Sequence, residues 1–179
     1  MTVRCAANCI PLLIQQNVHG TDFFNRSWAE FKVGFNDSSG NYWLGNDLLS
    51  QLTQSGRYKL IFDLHAANGT RYYAEYILFI VLSEANNYTL RVSGYTGNAG
   101  DALYFQNNMM FTTYDRDNDP WKHDAFKDNC AVHNGGGFWY KNCAFCAVNN
   151  VRGFGNSFRW RSLETGNILL QMSRMWLTC

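Results

Sequence analysis

Residues 58–64 and 72–82 are two β-rich runs set either side of Asn68-Gly69. An Asn-Gly pair between such runs favours the tight turn that matches strand twist, so the chain is committed to an antiparallel hairpin here. Residues 88–92 continue the meander, residues 11–14 read as a strand ahead of it, and residues 167–178 read as a strand at the far end. Ser27-Trp28-Ala29-Glu30 is a capping box, in which the Ser27 hydroxyl takes a free amide and Glu30 reaches back; a short helix over 28–33 follows and stops at Gly34. Asn46 or Asp47 caps a second helix with Leu48, Leu49 and Leu52 on one face, ending at Ser55-Gly56. Helices this short take their stability from packing on something flat. The fold class is therefore α+β, a central antiparallel sheet with short helices.

With 179 residues, the chain suits one domain with a substantial core, or one core with a smaller loop-rich lobe. Net charge is +1, and the basic residues are scattered, which leaves no cationic stripe for counterion release and makes nucleic acid an unexpected partner. The longest apolar run, 77–82, falls far short of the roughly 20 residues needed to cross a bilayer. Residues 1–16 show no charged region followed by an apolar stretch and cleavage site, so neither a membrane segment nor an export signal is visible. Sequons at Asn25, Asn36, Asn68 and Asn87 are a weak sign of a secreted, extracellular setting.

From about Gly94 the texture changes to Gly, Asn, Asp and isolated aromatics. Residues 105–165 read as a loop-built lobe, against a sheet lobe of about 11–104 and 166–178. Two devices could hold the loops. In Asp115-Arg116-Asp117-Asn118-Asp119 carboxylates alternate, so a turning backbone can aim hard oxygens at one point, as Ca2+ requires. The EF-hand pattern fails, because its glycine position is Pro120 and its glutamate position Phe126; a solvated acidic turn is the competing reading. Cys130 and Cys143 flank a tract from His133 to Tyr140 expected to supply little core, and closing that loop by a disulfide stabilises by about 3 kcal/mol on the chain-entropy argument. A reduced pair is one alternative, and zinc held by Cys5, Cys9, Cys143 and Cys146 another, although no properly spaced second CxxC exists.

Blocks spread along nearly the whole chain carry a resemblance. They are Phe24-Asn25-Arg26-Ser27-Trp28-Ala29-Glu30-Phe31, Tyr42-Trp43-Leu44-Gly45-Asn46-Asp47, Gly94-Tyr95-Thr96-Gly97-Asn98-Ala99-Gly100-Asp101, Phe111-Thr112-Thr113-Tyr114 with the aspartate run, and Phe138-Trp139-Tyr140-Lys141-Asn142-Cys143. The sequence resembles the fibrinogen-like domain family, which includes fibrinogen chain ends, ficolins, tachylectins, angiopoietins and tenascins. The resemblance implies that the final strand returns to the central sheet, and that a loop-rich C-terminal lobe carries calcium and the ligand pocket. It places calcium on Asp117 and Asp119, with backbone carbonyls at Phe126 and Asp128, and leaves Asp115 to brace the turn. It also implies the Cys130 to Cys143 disulfide and a cis peptide between Asn142 and Cys143.

Carried over position by position, the pocket of lectin-like members falls on His133, Asn134, Ala144, Phe154, Gly155 and Leu163. Ala144 stands where those members have a histidine. The family's opening subdomain is not recognisable before Pro11, and Cys5, Cys9, Cys146 and Cys179 have no assigned partners: they pair with each other, bridge to another chain, or stay free. Two functions follow as expectations: a calcium-supported lectin binding glycans or acetylated groups in innate recognition, or a protein-binding module of an adhesion, matrix or signalling protein. Any oligomerisation is expected to come from regions outside this chain. No nucleophile with a histidine partner and no separated acid and base argue for an enzyme.

Overall fold

The structure, a computed structural model, describes residues 10–122, 129–151 and 158–179. In chain order come β1 (Leu12–Val18), α1 (Trp28–Val33), β2 (Phe35–Asn36), β3 (Tyr42–Trp43), α2 (Asn46–Thr53), β4 (Lys59–Ala66), β5 (Arg71–Val81) and β6 (Leu90–Gly97). They are followed by β7 (Phe111–Thr112), α3 (Cys130–Asn134), β8 (Phe138–Trp139), β9 (Cys146–Ala147), β10 (Arg159–Ser162) and β11 (Gly166–Thr178). The main sheet runs β2-β3-β1-β11-β4-β5-β6, every pairing antiparallel, so the last strand is inserted at its centre between the first and the fourth. A 13-residue strand flanked on both sides ties the two ends of the chain into one hydrogen-bonded unit.

Alternation sets the buried face. In β4, Leu60, Phe62, Leu64 and Ala66 point inward while Lys59, Ile61, Asp63 and His65 line the opposite face. The β4–β5 hairpin forms at Asn68-Gly69, with Gly69 at φ +85° and the Ala66 amide donating to the Thr70 carbonyl at 2.9 Å. In β6 the strand begins at Leu90 and runs to Gly97, later than the sequence suggests, because Tyr88 sits at a positive φ of 48° and sends its ring into the core.

The first helix has the full capping box: Ser27 accepts from the Glu30 amide and Glu30 accepts from the Ser27 amide at 2.9 Å. The second is capped differently from expectation. Gly45 is its N-cap, and Asn46 turns inward to accept a hydrogen bond from the Trp43 indole at 3.2 Å. Leu49 carries its buried face; Leu48, expected on that face, is 42% exposed because the helix packs on β5 through Leu49 and Thr53. The Thr53 hydroxyl takes the Val81 amide at 2.9 Å.

The tract ending at Tyr140, expected to supply little core of its own, packs its aromatics into the core of the sheet. Phe138, Trp139 and Tyr140 are each at most 1% exposed. Trp139 packs against Trp43, Phe79, Phe111 and Phe138 with ring centroids 5.0 to 6.3 Å apart, and Phe111 in turn meets Trp28 and Phe31. One aromatic layer therefore serves both the sheet with its helices and the loops.

Candidate functional site

The aspartate run follows β7 and is shaped by hydrogen bonds before any ion is considered. Asp115 accepts from the Trp28 amide at 2.9 Å and the Thr113 hydroxyl at 2.7 Å, so it fastens the turn to the N-terminus of α1. Asn129 caps α3 through the amides of Ala131 and Val132, and its side-chain amide donates to the Thr113 carbonyl at 2.9 Å. The start of α3 is thereby held against the end of β7.

Asp119 is 5% exposed. One carboxylate oxygen accepts from the Cys130 amide at 2.9 Å and the other from the Trp121 amide at 3.0 Å. Asp117 accepts from the Asp119 amide at 3.2 Å and lies 3.7 Å from the Lys122 ammonium. Burial, and then the neighbouring charge of Asp117, push the Asp119 carboxyl up to about 6, against the pull of its two amide donors. Two oxygen donors that repel each other in a half-dry place suit a hard divalent cation. Among the described residues no three His, Cys, Asp or Glu side chains converge, so the remaining ligands of such an ion would be carbonyls and water. The carbonyls of Phe126 and Asp128 lie outside the described residues.

Cys130 and Cys143 are disulfide-bonded with Cα atoms 5.4 Å apart, which removes both the reduced-pair reading and the zinc reading of Cys143. The peptide between Asn142 and Cys143 is trans, the lower-energy form for a bond not preceding proline, and the Lys141 amide closes the turn onto the Cys143 carbonyl at 2.7 Å; the cis expectation is corrected. Cys179 is also disulfide-bonded, while Cys146 is a buried free thiol whose pKa burial raises far above the ordinary value. Cys5 and Cys9 fall outside the described residues.

The residues carried over as a sugar pocket do not share one environment. His133 is exposed with its ring 5.6 Å from Trp121, whereas Asn134 is buried and donates to the Cys130 carbonyl at 2.7 Å, completing the helix rather than facing a ligand. Ala144 is 6% exposed, and Leu163 is 78% exposed in the turn between β10 and β11. Phe154 and Gly155 lie outside the described residues. Of the sequons, Asn25, Asn36 and Asn68 are exposed, but the Asn87 side chain is engaged, accepting from Arg116 at 2.7 Å and donating to the Met110 sulfur at 3.1 Å.

Sequence reasoning missed the polar ties that hold the loops. Gln106, wholly buried, donates to the Trp139 carbonyl and accepts from the Cys146 amide, each at 2.6 Å. Gln15 and Asn17 of β1 donate to the Val148 carbonyl, and Asn149 donates to the Gly137 carbonyl at 3.0 Å. The close approach needs glycine: a Cβ on Gly136 would lie 2.1 Å from the Asn149 carbonyl oxygen, and one on Gly137 2.5 Å from the Phe31 ring. The Gly-Gly-Gly stretch ahead of three aromatics was the one available signal.

Comparison with known proteins accords with this geometry. Residues 6–176 match the family described as fibrinogen beta and gamma chains, C-terminal globular domain. Fibrinogen beta chain of Gallus gallus is 36% identical over 179 residues, covering 86% of this chain and 39% of that protein. Angiopoietin-related protein 2 of Mus musculus is 40% identical over 131 residues, covering 73% of this chain and 26% of that protein. The chain thus spans less than half the length of these curated relatives. Among solved structures, the fibrinogen-like globe domain of human ANGPTL2 superposes with a TM-score of 0.82 at 34% identity, covering 93% of this chain and 79% of that one. A lamprey fibrin D-dimer, complexed with the peptide ligand Gly-His-Arg-Pro-amide, gives 0.76 at 27% identity, covering 93% and 60%. The chain belongs to the family of fibrinogen C-terminal globular domains, whose members are binding modules and not enzymes.

Proposed function

We propose that this globe is an extracellular protein-binding module whose loops are stiffened by calcium. The observation that carries the reading is the likeness to globe domains over 93% of the chain, one of them complexed with a peptide, combined with an alanine at the position where lectin-like relatives place a histidine. The Ala144 side chain has no donor or acceptor to offer an acetyl group, and Asn134 spends its amide inside α3. Among the described residues carried over as a sugar pocket, only His133 is an exposed polar group.

Asp117 and Asp119 would hold the calcium ion. When bound, it supplies a charge that cancels their repulsion and ties the aspartate turn to the start of α3 through the Asp119 bond to the Cys130 amide. The protein's own share is the positioning: Asp115 and Asn129 fix the turn whether or not an ion is present.

Thermal unfolding with added calcium tests this part. Saturating calcium at 100 times its dissociation constant is expected to stabilise by about 2.7 kcal/mol, an effect that Asp117→Asn together with Asp119→Asn abolishes. A glycan array in calcium and in chelator tests the other part. No calcium-dependent sugar binding is expected; binding that Asp117→Ala removes would restore the lectin reading.

A further inference from the structure

A second surface stands apart from the aspartate turn. The 3-10 turn Leu103–Gln106 is anchored by its buried ends, leaving Tyr104 50% exposed and Phe105 half-buried between them. Phe145, between buried Ala144 and Cys146, stacks on Phe105 with centroids 4.2 Å apart and planes within 12°. The Lys141 ammonium lies 5.0 Å from the Phe105 centroid and the Arg161 guanidinium 5.2 Å from that of Phe145. The Arg161 backbone amide donates to the Phe145 carbonyl at 2.9 Å, which sets the two residues side by side.

We propose that this face, built on Lys141, Arg161 and the Phe105–Phe145 stack, binds an acidic segment of a partner protein; the proposal rests on the protein-binding reading above. Neither Lys141 nor Arg161 has a carboxylate partner among the described residues. A nearby acid, Asp101, is turned inward and spent on the Tyr76 hydroxyl at 2.8 Å and the Tyr104 amide at 3.1 Å. Two cations are thus held against rings with no ion-pair partner among the described residues. Holding them there removes much of the ordering cost that flexible Lys and Arg side chains impose on a partner.

The same stack argues against a sulfated sugar. Each ring of the stack has one face on the other ring and a cation over it, so neither Phe105 nor Phe145 offers a free face for a sugar to lie on. What remains is anion attraction with an apolar margin at Tyr104 and at Leu169, the latter paired with Arg159 across β10 and β11 and 42% exposed. Asp and Glu residues interspersed with aromatic or aliphatic ones match that margin.

Fluorescence anisotropy with a fluorescein-labelled synthetic peptide alternating Asp and Glu with Tyr and Leu tests this. Its controls are an Asn/Gln copy, Gly-His-Arg-Pro-amide, whose positive charge is wrong for this face, and a heparin oligosaccharide. The acidic peptide is expected to bind, to weaken with salt, and to lose at least about tenfold in affinity in the Lys141→Glu, Arg161→Glu double variant. Both positions are exposed, so the variant's thermal midpoint and its calcium response should match the parent. Equal binding of the Asn/Gln copy, no effect of the charge reversals, no peptide binding, or binding of heparin alone would each overturn the proposal. The calcium response, read in the same samples, judges the broader function separately.

Discussion

The sheet and residues 103–151 become buried by opposite means. In β4, β5 and β11 the backbone groups pair strand to strand, and inward side chains such as Leu60, Phe62, Met175 and Leu177 contribute in similar measure. Among the described residues of 103–151 the regular elements are two to five residues long, and single side chains satisfy the backbone: Gln106, Asp119, Asn129, Asn134 and Asn149. Burial shared among many equal contacts degrades gradually, whereas burial that hangs on individual polar ties fails locally when one is removed. The second arrangement leaves the loop backbone outside any long strand ladder, and the shared aromatic layer keeps it attached to the sheet.

That contrast can be broken most forcefully at the shared layer. Trp139→Ala removes a ring packed against four other aromatics and is expected to cost about 3–5 kcal/mol, lowering a single urea transition. Two separate transitions would show that the halves do not share a core. Next in size is Cys130→Ala with Cys143→Ala, expected to cost about 3 kcal/mol and to speed hydrogen exchange in α3 and β8 before β4 or β5; equal acceleration in both regions would refute local failure. Gln106→Ala strands the Trp139 carbonyl and the Cys146 amide, and about 1–3 kcal/mol should be lost by denaturant melting, with the Cys146 amide the first to exchange.

The smallest effect lies on the sheet half. Ser27→Ala removes the α1 cap for about 1 kcal/mol. The Ser27 amide, then its hydroxyl, hold the Glu30 carboxyl below its ordinary range. A lowered folded-state pKa adds stability that is complete above the ordinary carboxylate value and disappears as pH falls through the lower one. Stability of Ser27→Ala should therefore decline less between neutral and acid pH than that of the parent, as melting at a series of pH values would show.

Local chemistry was readable in advance where it acts within a few residues. The α1 capping box, the Asn68-Gly69 turn and the alternation in β4 depend on neighbours in sequence, and a relationship to fibrinogen-like domains was visible in blocks of contiguous residues. The α2 cap was misplaced because Asn46 answers to the Trp43 indole inside the core rather than to the helix amides. Phe138, Trp139 and Tyr140 were readable as packing residues, but their partners were not, because no period links them to Trp43 and Phe79, which lie far back in the chain.

By itself, then, the sequence determined the hairpins, the first helix, the family and the candidate acidic ligands, all of which rest on short-range spacing. Only the tertiary structure decided that Asp115 serves the amide of Trp28, that Gln106 bridges two loops, and that Lys141 and Arg161 share one aromatic stack. Those partners are brought together by chain closure over many residues. Such contacts carry no local signature, because the chain between them, rather than the residues themselves, sets which side chains meet.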